Sequence, residues 1–371
     1  MPAKPSRITF FNQTFALGGA ETLYHDLFFW LKQHGVEVEV YTTFPPLAQK
    51  LNFLARVHHF PFAIDLIGDW KGFLKGLFFL PLGFFYYGIL VAAHRQTDLI
   101  FVSGVTEKIL VTFWARIFGL PVVWLEHGPL SRLLQKFGGF SRRLYLSVSS
   151  YPYKIITPSR FTAADLVKNL GISPTRIEII PNGVNIATSP SAPVPYRVCC
   201  VSRLEPGKGQ DLLIQAWPGV ISHVPQARLC LVGAGDFRPR LESLASSLNL
   251  SAVEFTGWVP DAGAYQAASQ ICVFPTLWPL EGFGMAGVEA MAHSKPVIGF
   301  NFGPLPEIIT PATGILVPPG DVAALARAIV SLLKNPFLSR RLGNAGRQRY
   351  LAKYTISVMG PRYLKVFSRV C

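Results

Sequence analysis

Two glutamates stand out in the stretch WPLEGFGMAGVEAMAHSKPVIG, residues 278–299, which is otherwise mostly apolar and small. Glu281 and Glu289 have seven residues between them. Glu281 precedes Gly282 and Gly284, and glycines so placed predict a loop. Residues 284–293, GMAGVEAMAH, predict a helix in which Glu289 is the sole acid. A carboxylate buried without a partner is costly, so Glu289 needs hydrogen-bond donors. A pair of ribose hydroxyls would serve, because an ionised carboxylate accepts more than one hydrogen bond. Glu281, on the loop, suits a sugar hydroxyl. Backbone N–H groups where the helix starts, around Gly282, Phe283 and Gly284, suit a phosphate. One structural ion pair and one helix-capping acid would explain the same two residues, and both readings stand at this point.

A second cluster lies upstream. In VSRLEPGKGQDLLIQA, residues 201–216, Arg203 and Lys208 share a loop with Gly207 and Gly209 between an apolar strand pattern and a helix pattern. An arginine offers forked hydrogen bonds to phosphate oxygens, and a lysine offers a compact charge. Two such cations at the carboxyl end of a strand suit a diphosphate. In ALGGAE, residues 16–21, Gly19 lets a ligand approach the backbone just before a helix, although a GG pair alone also makes an ordinary turn. LVGAGD, residues 231–236, is another strand leading into glycines. It is not the dinucleotide fingerprint, because Arg238 stands where the third glycine would fall. This counts against an NAD enzyme.

The chain that must position these residues has 371 of them, half hydrophobic, 15% charged, with a formal net charge of +14. That balance favours anionic partners, whether phosphate-bearing ligands, nucleic acid or an acidic membrane surface. The basic residues are dispersed and no DNA or RNA motif is present, which speaks against nucleic acid. The five cysteines show no zinc-ligand spacing. Cys199, Cys230 and Cys272 fall in strand-like runs and read as buried thiols in a reducing compartment. The opening MPAKPSRITFFNQTFALGG reads as a first strand entering a glycine turn rather than a signal peptide.

Strand-like and helix-like segments alternate throughout. RITFFN (7–12), VEVEVYTT (36–43), DLIFVS (98–103), VVWLEH (122–127), KIITPS (154–159) and IEIIP (177–181) predict strands separated by helices. A composition break at ATSPSAPVPY, residues 187–196, predicts a linker. The alternation then restarts with RVCCVS (197–202), ARLCLVG (227–233), AVEFTG (252–257), ICVFPT (271–276) and PVIGF (296–300), while GILVPPGD (314–321) reads as a turn. The expected fold class is α/β: two doubly wound Rossmann-like domains facing across a cleft, with ligands at the carboxyl ends of the strands. The expected bounds are 1–186 for the first domain, 187–196 for the linker and 197–354 for the second domain. Residues 355–371 are expected to return to the first.

GLFFLPLGFFYYGILVAA, residues 76–93, holds eighteen residues without a charge, the lower limit for a membrane span. Pro81, Gly83 and Gly88 interrupt it. A buried helix or a helix lying in a membrane interface fits better than a span, which would split one domain across a bilayer. SRLLQKFGGFSRRLYL, residues 131–146, mixes Arg132, Lys136, Arg142 and Arg143 with Leu, Phe and Tyr, and reads either as a basic membrane-contacting face or as a solvated one.

The motifs together resemble a known family. EGFGMAGVEAMA, with Glu281 and Glu289, resembles the E-x7-E motif of retaining glycosyltransferases of GT-B fold, family 4 in particular. GGAETLYHDLFFWLKQHGVEVEVYTT, IEIIPNGVN, SRLEPGKG, VGAGD, TGWVPD, PVIGFNFGPLPEII and TGILVPPGD are similar to that family's segments in the same order. The resemblance implies sugar transfer from a nucleotide-sugar donor with retention and no metal or other cofactor. It implies that His127, in LEHG, contacts the donor sugar and that Gly19 approaches the donor phosphates or the acceptor. Arg203 and Lys208 would hold the diphosphate, Glu281 would position the sugar, Glu289 would bind the ribose, and the backbone near Val259 would meet the nucleobase. Departures from the usual pattern are Gly303-Pro304 in place of a glycine pair, Asn185 in place of Asp, and Ser294-Lys295 after the helix.

The reading that follows is a transferase acting on a lipid-linked or surface-glycan acceptor, peripheral on the cytoplasmic face of an anionic membrane. A transferase using a small soluble acceptor is the alternative. From other classes come a non-catalytic nucleotide-sugar binder and a nucleic-acid binder. The donor's base and sugar, the acceptor and the linkage are not legible in the sequence.

Overall fold

The computed structural model describes residues 4–13, 19–60, 63–186 and 193–370. Contacts divide the chain into two compact units, one running to Val184 and resuming at Ile356, the other spanning Asn185–Thr355.

Unit 1 is built on seven parallel strands: β1 (Arg7–Asn12), β2 (Glu37–Thr42), β3 (Arg56–His59), β4 (Leu99–Val102), β5 (Val122–Leu125), β6 (Lys154–Thr157) and β7 (Ile177–Ile179). Their order across the sheet is β3-β2-β1-β4-β5-β6-β7. Parallel strands need crossover helices on both faces, so the central ones are apolar throughout rather than alternating. On β1, Phe10 and Phe11 point to opposite faces. Phe10 packs with Leu23, Tyr24, Leu27 and Phe28 of α1 (Gly19–Gln33), and with Tyr363 and Phe367 of the C-terminal helix Ile356–Phe367 in the same core. Phe11 belongs to the opposite core with Tyr87 and Val91 of α3 (Trp70–Ala93) and Ile109, Val111 and Ala115 of α4 (Val105–Phe118). A short helix, α2 (Pro45–Leu51), connects β2 to β3. The strand order reverses between β1 and β4, so their carboxyl ends, at Asn12 and Ser103, flank the switch point where such sheets bind ligands.

Unit 2 carries six parallel strands: β8 (Arg197–Val201), β9 (Arg228–Val232), β10 (Val253–Gly257), β11 (Ile271–Phe274), β12 (Val297–Phe300) and β13 (Gly314–Val317), in the order β10-β9-β8-β11-β12-β13. Its switch point lies between β8 and β11. The loops leaving those two strands carry Arg203 with Lys208, and Glu281.

Several sequence expectations need correction. GILVPPGD is not simply a turn, because its first four residues form edge strand β13. RVHH forms β3, which was not anticipated; its side chains are only partly covered and carry no apolar run. The helix Gln210–His223 continues through Pro218 because Trp217 and Val220 are fully buried on either side of it. Residues 131–146 are not one helical face. Gly138 and Gly139 adopt left-handed φ of 66° and 72° and separate two short helices, Ser131–Leu134 and Phe140–Val148. The apolar segment 76–93 extends back to Trp70 and includes Lys71 and Lys75. Most of residues 187–196, and the loop 14–18 before Gly19, lie outside the described residues.

Candidate functional site

Unit 2 brings Arg203, Lys208 and Glu281 together around a residue the sequence reading did not single out, Trp278. Lys208 Nζ lies 2.9 Å from Glu281 Oε2 and 3.8 Å from the centre of the Trp278 ring. The Arg203 guanidinium lies 5.4 Å from the same ring and pairs with Glu205 at 2.7 Å. The two loops interlock through a hydrogen bond from Leu277 N–H to Gly207 C=O at 2.8 Å. Gly209 is required there. Its φ is +81°, and a Cβ would fall 1.9 Å from the Pro275 carbonyl oxygen. Aromatic rings beneath paired cations are a recognised arrangement, but nothing in the sequence said the two loops would meet.

Burial pulls the Lys208 ammonium below its ordinary range, and the Glu281 carboxylate opposes that shift. An ammonium has three donors. Glu281 takes one, and two are left that can meet an anion.

Gly284 caps the helix Met285–Ala292 with φ +102°, so the chain turns sharply from the Glu281 loop into the helix. Glu289 lies on this helix, and burial alone raises its carboxyl to about 7. Among the described residues, no hydrogen bond or ion pair to its side chain is found. Phe283 is different. Its ring is buried edge-on against Tyr354, with centroids 5.8 Å apart, so only its backbone can serve a ligand. Gly282 is buried beside it, and Val259 follows β10 next to the exposed Trp258.

In unit 1, His127 follows β5 and meets the Tyr24 hydroxyl through Nε2 at 2.5 Å. Asn12 Nδ2 donates to Tyr24 Oη at 2.9 Å and to Ser103 Oγ at 2.7 Å, and Tyr24 donates to Ser103 at 2.9 Å. Behind it, Lys108 pairs with Glu126 at 2.8 Å, and Tyr145 donates to the same carboxylate at 2.7 Å. Burial and the Lys108 charge hold His127 down to about 3, so its ring is neutral. Neither Tyr24, Asn12 nor Ser103 was anticipated. They come from β1, α1 and the end of β4, and only the sheet order makes them neighbours. Gly19 is the first residue of α1.

Cys199, Cys200, Cys230 and Cys272 are buried and unpaired, and burial raises each thiol. Among the described residues, no group of three His, Cys, Asp or Glu is placed to hold a metal ion.

Two α/β units, each with a doubly wound parallel sheet and ligand-type loops at its switch point, define the GT-B fold. Solved structures agree. Anabaena HepE, crystallised with UDP, superposes with a TM-score of 0.81 at 22% identity over 98% of this chain and 100% of its own. Sucrose-phosphate synthase from Thermosynechococcus elongatus gives 0.80 at 22% identity over 98% and 99%. The chain belongs to glycosyltransferase family 4. Residues 17–188 match the family described as Glycosyltransferase Family 4 and residues 195–335 match Glycosyl transferases group 1. A GDP-mannose-dependent alpha-(1-6)-phosphatidylinositol monomannoside mannosyltransferase of Mycobacterium tuberculosis is 31% identical over 71% of this chain and 74% of its own. A GDP-mannose-dependent monoacylated alpha-(1-6)-phosphatidylinositol monomannoside mannosyltransferase of Corynebacterium glutamicum is 33% identical, over 56% of this chain and 60% of its own. A phosphatidyl-myo-inositol mannosyltransferase of Mycobacterium leprae is 36% identical over 52% and 53%. The matches thus span about half to three-fifths of these last two relatives.

Proposed function

We propose that this protein is a retaining glycosyltransferase that moves a hexose from a nucleotide-sugar donor to a lipid-linked acceptor or growing surface glycan. It would work at the cytoplasmic face of an anionic membrane, without a metal ion. The observation that carries the reading is the Lys208–Glu281 pair on the Trp278 ring beside Arg203. It gathers two cations suited to a diphosphate and one carboxylate suited to a sugar hydroxyl at one switch point, which supports the reading.

The chemistry asks little of protein acids and bases. The bond from the anomeric carbon to the diphosphate oxygen breaks, and the acceptor oxygen bonds to that carbon on the same face. The acceptor proton passes to the departing phosphate. Negative charge grows on the diphosphate, and fixed cations aimed at it lower the barrier. Arg203 and Lys208 fill that role. Glu281 fixes the sugar through a hydroxyl, and Glu289 takes the ribose hydroxyls. His127, neutral, binds and polarises a sugar hydroxyl rather than acting as an assigned base. Backbone at Gly19, Gly282, Phe283 and Gly284 would serve the phosphates, and the backbone at Val259 the base.

The family's lipid-mannosylating members support a membrane lipid as acceptor and GDP-mannose as the first donor to try. Thermal melting against UDP, GDP, ADP and their sugars, with EDTA present, tests the donor half. A ligand that binds only the folded state raises its melting temperature by mass action. A shift with one nucleotide identifies the base, and incorporation of radiolabelled sugar into extracted membrane lipid then tests transfer. No shift with any donor removes the reading.

A further inference from the structure

We propose that the α3–α4 face of unit 1 is the surface by which this protein docks, lying flat, on an anionic lipid bilayer. The proposal deepens the membrane part of the function above and names the surface that carries it.

α3 exposes Trp70, Leu74, Phe78, Leu82, Phe85 and Ile89. The spacing of four, four, four, three and four residues puts them on one side of the helix. The exposure is deep: Phe78 is 79% accessible, Ile89 68% and Phe85 64%. The adjoining helix α4 adds Phe113 and Ile117. A contiguous apolar strip of this kind on a water-soluble surface marks an interaction site.

The other side of α3 is committed to the protein. Tyr87, Gly88 and Val91 are buried, and Tyr87 donates to Glu107 of α4 at 2.6 Å. A Cβ on Gly88 would meet the Trp114 ring at 2.7 Å, and Trp114 Nε1 donates to the Phe84 carbonyl at 2.7 Å. The helix is long and apolar enough to cross a bilayer, but its second half is tied to α4 at Phe84, Tyr87 and Gly88, and a helix so held cannot leave the unit to span one. It presents one side only, which is the geometry of interfacial insertion.

Charge selects the occupant. α3 contains no acidic residue, and its exposed Lys71 and Lys75 share the arc of the apolar strip. Arg95 follows its last turn, and Arg116 neighbours Ile117 on α4; both are exposed. Lysines so placed lay their stems on apolar surface and hold their ammonium groups at head-group level, where anionic lipid attracts them. A second copy of the chain would bring two such basic margins together, and the net charge of +14 adds to that repulsion.

The test is co-sedimentation of the full chain with vesicles of phosphatidylcholine alone or mixed with phosphatidylglycerol. Wild type should pellet with the mixed vesicles and much less with phosphatidylcholine. Phe78→Glu with Phe85→Glu should weaken that binding about tenfold or more. Lys71→Glu with Lys75→Glu should remove the preference for anionic lipid and flatten the salt dependence. Undisturbed melting temperatures would show that both pairs fold, as exposed positions should, and a retained nucleotide-induced shift separates this test from that of the transferase reading. The proposal is overturned if wild type ignores both vesicle types or if the Phe78/Phe85 variant pellets like wild type. It is equally overturned if light scattering finds a dimer that this variant dissolves, which would assign the face to a second copy.

Discussion

The Tyr24 hydroxyl and His127 Nε2 share one short hydrogen bond inside a cluster closed by Asn12 and Ser103. Tyr24 has one proton. With that proton on Ser103, His127 must donate through Nε2, which fixes its tautomer and leaves Nδ1 as the acceptor. Tyr24→Phe releases the ring. We expect kcat to fall about tenfold, the worth of one neutral hydrogen bond, with donor KM little changed. A rise in KM with kcat intact would mean that Tyr24 shapes donor binding instead.

His127 also predicts a pH response. Its pKa in the folded chain, about 3, lies below the ordinary 6.5. The unfolded chain therefore takes up the proton first, and stability falls as pH drops from about 6.5 toward 3. Above 6.5 the residue has no effect. His127→Gln should flatten that part of a plot of melting temperature against pH, and no limb of the kcat profile between pH 6 and 9 should trace to His127.

Lys208 and Glu281 are nearly buried together, so removing one leaves the other unpaired. Lys208→Met should destabilise unit 2 by about 3 kcal/mol in chemical denaturation and abolish transfer. The double variant Lys208→Met with Glu281→Gln should recover most of the stability and none of the activity. Recovery of both would place the pair outside the catalytic machinery.

Glu289 runs the opposite way from His127. Its folded pKa of about 7 lies above the ordinary 4.5, so ionisation costs stability as pH rises from 4.5 through 7. Glu289→Gln should raise the melting temperature at pH 8 by a few degrees, roughly 2–4 °C, and leave it unchanged at pH 4. The same variant should weaken nucleotide binding, and the wild-type gain in affinity between pH 6 and 8 should disappear.

Gly209→Ala would drive a methyl group into the Pro275 carbonyl at a left-handed φ. We expect the interlocked loops to separate at a cost of about 2 kcal/mol or more, with donor affinity falling before the fold does. Isothermal titration with the identified nucleotide reads the first effect and urea denaturation the second.

The apolar runs of β1, β4 to β6, β8, β9, β11 and β12 were legible because doubly covered strands cannot hide their composition. β3 was not, since RVHH has no core face to announce it, and β13 was masked by the Pro-Pro-Gly that follows. Of the candidate site, the charged residues were legible because acids and cations are scarce in apolar surroundings. Trp278 and Tyr24 were not. Each looks like one more core aromatic until the sheet order brings it beneath a cation or against a histidine.

The C-terminal helix Ile356–Phe367 puts Met359, Tyr363, Val366 and Phe367 into the core of unit 1, and a Cβ on Gly360 would fall 2.3 Å from the Trp30 ring of α1. Unit 1 is thus discontinuous in the chain. During synthesis the ribosome delivers its seven strands first, but the core between that sheet and α1 stays incomplete until the helix Ile356–Phe367 has emerged. Unit 2, continuous from Asn185 to Thr355, holds all of its own core by then. The half of the protein made first is thus closed only after unit 2 has been made, and a stop codon before Ile356 would leave the α1 side of its sheet short of four core residues while the opposite core kept all of its own.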